Sequence, residues 1–226
     1  MFAVLFEVHP KPEQWDAYLG YAKLLKPELE QIDGFVENIR YASLTREGWI
    51  LSLSSWCDEK AVVRWRTKAK HHEVQEKGRN EILLDYHLRV GQYLEDTHLP
   101  AGQALTEQRL DETEVGEGTT VSLITAKRPD EWPATAKAMT CAQYLGLDTY
   151  SKENLVAWDV YEAVLTPGDL ILMLVWSDRA ALQPITDEQR VLPATHRIRH
   201  VRIIRDYGMF DRREAPQYFP APAVKQ

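Results

Sequence analysis

The chain has 226 residues, of which 44% are hydrophobic and 27% are charged, and its formal net charge is −7. This is a globular composition, and the negative charge argues against nucleic acid as a partner, because binding to phosphates requires a basic surface. No run of about 18 apolar residues is present and there are only two cysteines, so we expect no membrane partner and a reducing, cytoplasmic location.

The first half predicts the element order strand, helix, strand, strand, helix, strand. Its strands are predicted at residues 2–8, 35–44, 49–56 and 86–94. The first helix carries apolar residues on one face: Trp15, Tyr18, Leu19, Ala22 and Leu25. Pro27 is expected to kink or divide this helix. Asp58 is the expected N-cap of a second helix, which we predict to run through His72.

The second half repeats this order. Its strands are predicted at residues 119–127, 155–165, 169–177 and 195–207, and its helices at 130–145 and 178–192. The segment SLSSWCDEKAV at residues 52–62 resembles LMLVWSDRAAL at residues 172–182, so that Trp56 and Trp176 are 120 residues apart. This recurrence indicates a weak internal repeat.

A βαββαβ order that occurs twice predicts an α+β protein with two ferredoxin-like repeats. A sheet with both helices on one face leaves its other face bare, and that face must be covered. Two copies in one chain meet this requirement if they pack sheet to sheet as an intramolecular dimeric α+β barrel. We therefore predict a domain at residues 1–97, a linker at 98–118, a degenerate second domain at 119–213 and a Pro-rich tail at 214–226.

The first half resembles the antibiotic biosynthesis monooxygenase family of the dimeric α+β barrel superfamily. The resemblance rests on FVENIRYASL at residues 35–44 and on WILSLSSWCDEKAVVRWR at residues 49–66. A histidine, a Gly-Arg pair and a strand that begins with Asp-Tyr follow. It covers the second half only loosely. Family members are usually single repeats that dimerise, so this chain looks like a tandem fusion, either a monomer with a pseudo-dimer core or a homodimer.

The resemblance implies three kinds of function. Some members are cofactor-independent monooxygenases that oxidise small aromatic, quinol-like or polyketide-like substrates with molecular oxygen. This is the function we expect, with a small-molecule substrate and O2 as partners and no cofactor. A non-catalytic small-molecule-binding or stress-associated protein is the alternative. A branch that binds and degrades haem is a further one.

Trp65 and His72 are the leading site candidates, because their seven-residue spacing places both on one face of the predicted helix, with His71 pointing away. A cofactor-free oxygenase must deprotonate a phenol or enol, for which a histidine base is suited. His72 is therefore the expected catalytic base. The expected substrate-binding residues are Trp65, Arg66, Tyr18, Tyr86 and Trp56. The competing interpretation makes Trp65 a core residue and His72 a solvated one.

Local charge and the second half refine this prediction. Residues 60–79 carry seven Lys or Arg and two Glu, which indicates a solvated helix face or attraction of an anionic ligand. The 120-residue offset places Ile185 and Leu192 opposite Trp65 and His72, so we expect the working pocket in the first half. The haem-degrading branch uses an Asn on the first strand and an axial His where this chain has Gln75, which weakens the haem alternative.

Overall fold

The computed structural model describes residues 1–179 and 192–216. The strands in this part of the chain are β1 (Phe2–Pro10), β2 (Phe35–Ser43), β3 (Ile50–Trp56), β4 (Leu83–Asp96), β5 (Thr120–Lys127), β6 (Leu155–Ala163), β7 (Asp169–Trp176) and β8 (Arg197–Gly208). The helices are α1 (Trp15–Glu30), α2 (Glu59–Arg66), α3 (Ala69–Lys77) and α4 (Ala138–Tyr144), with a π-helical turn at Gly78–Ile82. None of the described helices is long and apolar enough to cross a membrane.

The strands form one closed antiparallel barrel in the order β1-β3-β2-β6-β7-β5-β8-β4. Strands β4 and β8 pair along most of their length, and β2 and β6 close the barrel through three residue pairs, Tyr41 to Ala163 through Ser43 to Tyr161. The inward side chains of both halves form a single apolar core that includes Leu5, Leu53 and Val201. The predicted α+β class with a barrel is confirmed at this level, and the first three helices pack on the outside.

The second predicted helix is divided. Helix α2 ends at Arg66, and α3 begins at Ala69 after Lys68, whose backbone is extended (φ −63°, ψ 126°). Thr67 contributes to the break, because its hydroxyl donates to the carbonyl of Val63 (2.9 Å) and competes with continued helical bonding. The prediction of one helix through His72 is wrong, so the residues after Lys68 do not continue the rotational phase of those before it.

The other helix predictions had mixed outcomes. Helix α1 passes through Pro27 without being divided. Only the last part of the predicted helix at 130–145 is helical, because Pro129 and Pro133 each begin a turn, closed by the N–H groups of Trp132 and Ala136 (both 3.0 Å). Nearly all of the helix predicted at 178–192 lies outside the described residues, as does Ile185.

The N-cap of α2 provides a first test. The Asp58 carboxylate accepts a hydrogen bond from the backbone N–H of Ala61 (2.7 Å), as predicted. Asp58→Ala should lower the free energy of unfolding by about 1 kcal/mol, measured by urea denaturation. Asp33→Ala is the control, because the Asp33 side chain is exposed and its contact with Arg64 is long (3.7 Å). Equal losses in the two variants would contradict the capping role.

Candidate functional site

A cavity of about 240 Å³ lies between the outer face of the barrel and helices α1, α2 and α3. Its floor consists of outward side chains from β1, β2, β3, β4 and β8. Its aromatic lining residues are Phe6, Tyr18, Tyr21, Trp65, Tyr86 and Tyr207. Aromatic walls of this kind enclose a small apolar molecule and exclude water from it.

The cavity contains four of the five predicted substrate-binding residues: Trp65, Arg66, Tyr18 and Tyr86 all line it. Trp56 does not. Its side chain is fully buried in the core, packs edge-on against the Phe35 ring (5.5 Å) and donates from Nε1 to the Ser54 hydroxyl (2.9 Å). The assignment of Trp56 to substrate binding is therefore wrong, because α2 covers this end of β3.

The structure places His71 in the cavity and His72 outside it, which is the reverse of the prediction. His71 lines the cavity, and its ring stacks on Trp65 with 4.2 Å between the ring centroids. His72 is exposed and is not among the lining residues. The prediction that His72 shares the face of Trp65 is wrong, because the break at Thr67 and Lys68 turns the following helix and brings His71 to the cavity.

The state of His71 follows from its surroundings. Burial lowers its pKa to about 4, against an opposing effect of its hydrogen bond to the Trp65 backbone, so the ring is neutral at pH 7. Nδ1 lies 3.2 Å from the Trp65 carbonyl oxygen, which can only accept a hydrogen bond. The proton therefore resides on Nδ1, and the Nε2 lone pair is left to accept a proton.

The cavity has a surplus of positive charge. Its cationic lining residues are Lys26, Arg40, Arg66, Arg79, Arg205 and Arg212. Glu59 is the one carboxylate among the described lining residues, and it pairs with Arg109 (2.7 Å). In a protein of net charge −7, such a surplus in an enclosed site favours an anionic ligand.

The buried polar atoms of the lining that have no hydrogen-bond partner among the described residues include Nε of Arg40 on β2 and Oε1 of Gln75 on α3. Arg40 also bonds to the Tyr18 hydroxyl, and this contact lowers the Tyr18 pKa. Burial has the larger, opposite effect, so the Tyr18 pKa is raised overall. Since buried polar groups are almost always satisfied, these two atoms mark positions where polar groups of a ligand fit.

Sequence reasoning missed several of these residues. Arg40 could have been found, because it lies two residues after Asn38 on the outward face of β2. Arg205 and Arg212 come from the second half of the chain, and no local pattern indicates that they reach a cavity in the first half.

In the part of the second half that the structure describes, apolar side chains surround the position that corresponds to His72. Leu192, predicted to correspond to His72, is buried in an apolar cluster with Trp176 and Leu145. Partly buried aromatic residues that pack on this cluster are Trp132, Tyr144, Tyr150 and Trp158.

The positions that the resemblance assigns to haem binding do not fit that group. Haem iron takes an axial His, Cys, Met or Tyr, whereas Gln75 stands where the axial His is expected. Strand β1 contributes Val4 and Phe6 to the cavity, not an Asn. Within residues 1–179 and 192–216 no three His, Cys, Asp or Glu side chains are grouped to hold a metal ion.

Comparisons with known proteins bear on the family. The profile described as antibiotic biosynthesis monooxygenase matches residues 1–77. A protein of Pyricularia oryzae named jasmonate monooxygenase ABM is 46% identical over 228 residues, which cover 97% of this chain and 99% of that protein.

Two solved structures show weaker likeness. An anthrone oxidase-like protein is 14% identical over 96% of each chain, with a TM-score of 0.32. An antibiotic biosynthesis monooxygenase is 17% identical over 33% of this chain and 79% of its own, with a TM-score of 0.31. Structural likeness at this level does not bear on function. The sequence identity to the full-length relative does: the chain belongs to the antibiotic biosynthesis monooxygenase family, and at the level of that family it is a monooxygenase.

Proposed function

We propose that this chain is a monooxygenase whose substrate is a small, mainly apolar organic anion, with jasmonate-like carboxylic acids as the first candidates. The observation that carries the proposal is the aromatic cavity, whose described lining holds six cationic side chains, of which Lys26 pairs with Glu30 (3.7 Å), and one carboxylate, which pairs with Arg109. A fixed surplus of positive charge in a partly dry site attracts an anion and rejects a cation. Jasmonate has a matching form, a cyclopentanone with an apolar side chain and a carboxylate arm, and the relative's name points the same way.

His71 is the proposed base. Its neutral ring and accepting Nε2 suit removal of a proton from a C–H beside a ketone or from a phenol. The pKa of about 4 belongs to the empty site, and an anion formed beside the ring favours the imidazolium and raises that pKa. The flat surface of the Trp65–His71 stack also favours quinol-like or polyketide-like phenols, which are the second candidates.

Electron balance decides whether a cofactor is needed. Oxidation of a CH2 group by O2 to a ketone and water balances without an external reductant. Hydroxylation of a C–H group by O2, with formation of one water, needs two further electrons and two protons. We propose the cofactor-independent route for substrates of the first kind, and a soluble two-electron donor such as a reduced nicotinamide for the second.

We also propose that the chain is a fusion of two ferredoxin-like repeats that works as a monomer with a pseudo-dimer core. Support comes from the strand order, because β4-β1-β3-β2 in the first half recurs as β8-β5-β7-β6 in the second. The apolar core shared by both halves favours a monomer over a homodimer. The domain boundaries and the cytoplasmic location stay predictions.

The substrate proposal is tested with jasmonic acid and its methyl ester, which differ in charge and little in shape. Calorimetric titration should show the acid binding about tenfold more tightly or better, since a charged hydrogen bond contributes about 1.5–3 kcal/mol. Equal affinities would contradict the anionic preference. Oxygen uptake is then measured with and without added reduced nicotinamide. Uptake without it indicates oxidation of a CH2 group to a ketone, and uptake that requires it indicates hydroxylation. Binding without uptake on any acid, quinol or anthrone would favour the non-catalytic alternative.

A further inference from the structure

We propose that the Tyr86 hydroxyl binds the anionic oxygen of the substrate, and that Arg79 and Arg212 are the positioning residues that prepare it. The inference rests on the proposed function, because it names the group that recognises the charge of the ligand. It also gives the C-terminal half of the chain a part in the N-terminal site, since Arg212 follows β8.

Three side chains converge at this corner of the cavity. Tyr86 on β4 lines the cavity and is 6% exposed. Arg79, from the π-helical turn before β4, is 4% exposed and donates from Nη1 to the Tyr86 hydroxyl oxygen (2.6 Å). Arg79 is itself held by the carbonyl of Met209 (3.3 Å). Arg212 donates to the same hydroxyl oxygen from the opposite half of the chain.

Donor and acceptor counting then fixes the role of the hydroxyl. A guanidinium can only donate hydrogen bonds, and a phenolic oxygen has two lone pairs to accept them. Both lone pairs of Tyr86 are therefore used, and its own proton must be donated elsewhere. No described residue accepts that proton, and the cavity lies beside it.

The charges of the two arginines determine which ligand suits this proton. Two guanidinium groups at one hydroxyl make its O–H a stronger hydrogen-bond donor and raise the local positive potential. A carboxylate or enolate oxygen gains from both effects, whereas an ester oxygen gains little. The arrangement is that of a preorganised donor aimed at negative charge on oxygen.

Arg40 is the competing anchor, because its Nε is buried and lacks a partner among the described residues. However, Arg40 already bonds to the Tyr18 hydroxyl on another wall of the cavity. At the Tyr86 corner, by contrast, two cations converge on one donor. If Tyr86 is the anchor, Tyr86→Phe abolishes the preference for the acid and Arg40→Met keeps it. If Arg40 is the anchor, these two results are reversed.

The experiment compares the affinities of jasmonic acid and methyl jasmonate in the full-length protein by calorimetric titration. Tyr86→Phe should weaken binding of the acid about tenfold or more and leave binding of the ester near wild type, so that the preference collapses. Arg212→Met should weaken acid binding in the same direction. In the Tyr86→Phe background it should add little, because its effect passes through the hydroxyl.

The controls remove the same groups elsewhere. Tyr150→Phe removes a partly buried phenol in the second half, and Arg213→Met removes an exposed guanidinium paired with Asp211, so both should keep the preference. The inference is overturned if Tyr86→Phe keeps the preference, if Arg40→Met alone abolishes it, or if Arg212→Met has its full effect in the Tyr86→Phe background. If Tyr86→Phe does not fold, Arg212→Met with its control carries the test. If the wild-type protein shows no preference, the proposed function fails first.

Discussion

Replacing His71 with alanine is expected to lower kcat on an accepted substrate about a hundredfold or more, the usual cost of losing a general base. His72→Ala should stay close to wild type, because His72 is exposed and outside the cavity. The measurement is initial oxygen uptake at saturating substrate. The opposite ranking of the two variants would restore His72 as the base.

The stack with Trp65 requires a second variant, since alanine also removes the ring that packs on the indole at 4.2 Å. His71→Phe keeps a stacking ring and removes the nitrogen. It should bind jasmonic acid nearly as well as the wild-type protein and still lose turnover. If His71→Phe keeps full turnover, His71 is a wall residue and not a base.

The pH profile provides an independent check. Burial holds the His71 pKa near 4 in the empty site. The base is therefore already unprotonated at pH 6.5, which is the ordinary pKa of a histidine. The acid limb of kcat/KM, which reports the free enzyme, should therefore fall as the pH drops through about 4 and not near 6.5. A limb near 6.5 would contradict His71 as the base.

Much of the fold was predictable, because period-2 alternation and turn residues mark strands independently of their partners. The recurrence of Trp56 and Trp176 also located corresponding strands, which both end at a buried tryptophan. Asp58 was predicted as a cap from its side chain alone. These features depend on local chemistry, so one sequence is enough to find them.

The candidate site was less predictable because it depends on small breaks in periodicity. One non-helical step at Thr67 and Lys68 was enough to exchange His71 and His72. Consecutive residues Val90 and Gly91 of β4 pair with Arg205 and Ile203 of β8. Ile204 is therefore an extra, unpaired residue on β8. Such a bulge shifts the alternation and lets Arg205 face the cavity. Neither break has a strong sequence signal.

Glu7→Gln is expected to lower the free energy of unfolding by about 3–5 kcal/mol, the usual cost of breaking a buried ion pair from one side. Glu7 faces into the barrel, where one carboxylate oxygen binds Arg89 (2.6 Å) and the other binds Arg46 (2.6 Å) and the Tyr161 hydroxyl (3.0 Å). Arg89 is buried, and Asp206 is the one other carboxylate that it contacts among the described residues (3.2 Å). Glutamine keeps the shape and leaves that positive charge undercompensated.

The sign of the pH dependence follows from the same contacts. Burial raises the Glu7 pKa, but Arg89 and Arg46 outweigh it and hold the pKa below its ordinary value of 4.5. A carboxyl with a lowered pKa in the folded state contributes stability above pH 4.5 that is lost as the pH falls through the folded pKa. Urea denaturation between pH 7 and pH 3 should therefore show a shallower decline for Glu7→Gln than for the wild-type protein. Glu13→Gln, at an exposed position, should follow the wild-type curve within about 0.5 kcal/mol. Parallel curves for Glu7→Gln and the wild-type protein would mean that the Glu7 pKa is the same in the folded and unfolded states, and the charge network would have to be redrawn around Asp159 and Asp206.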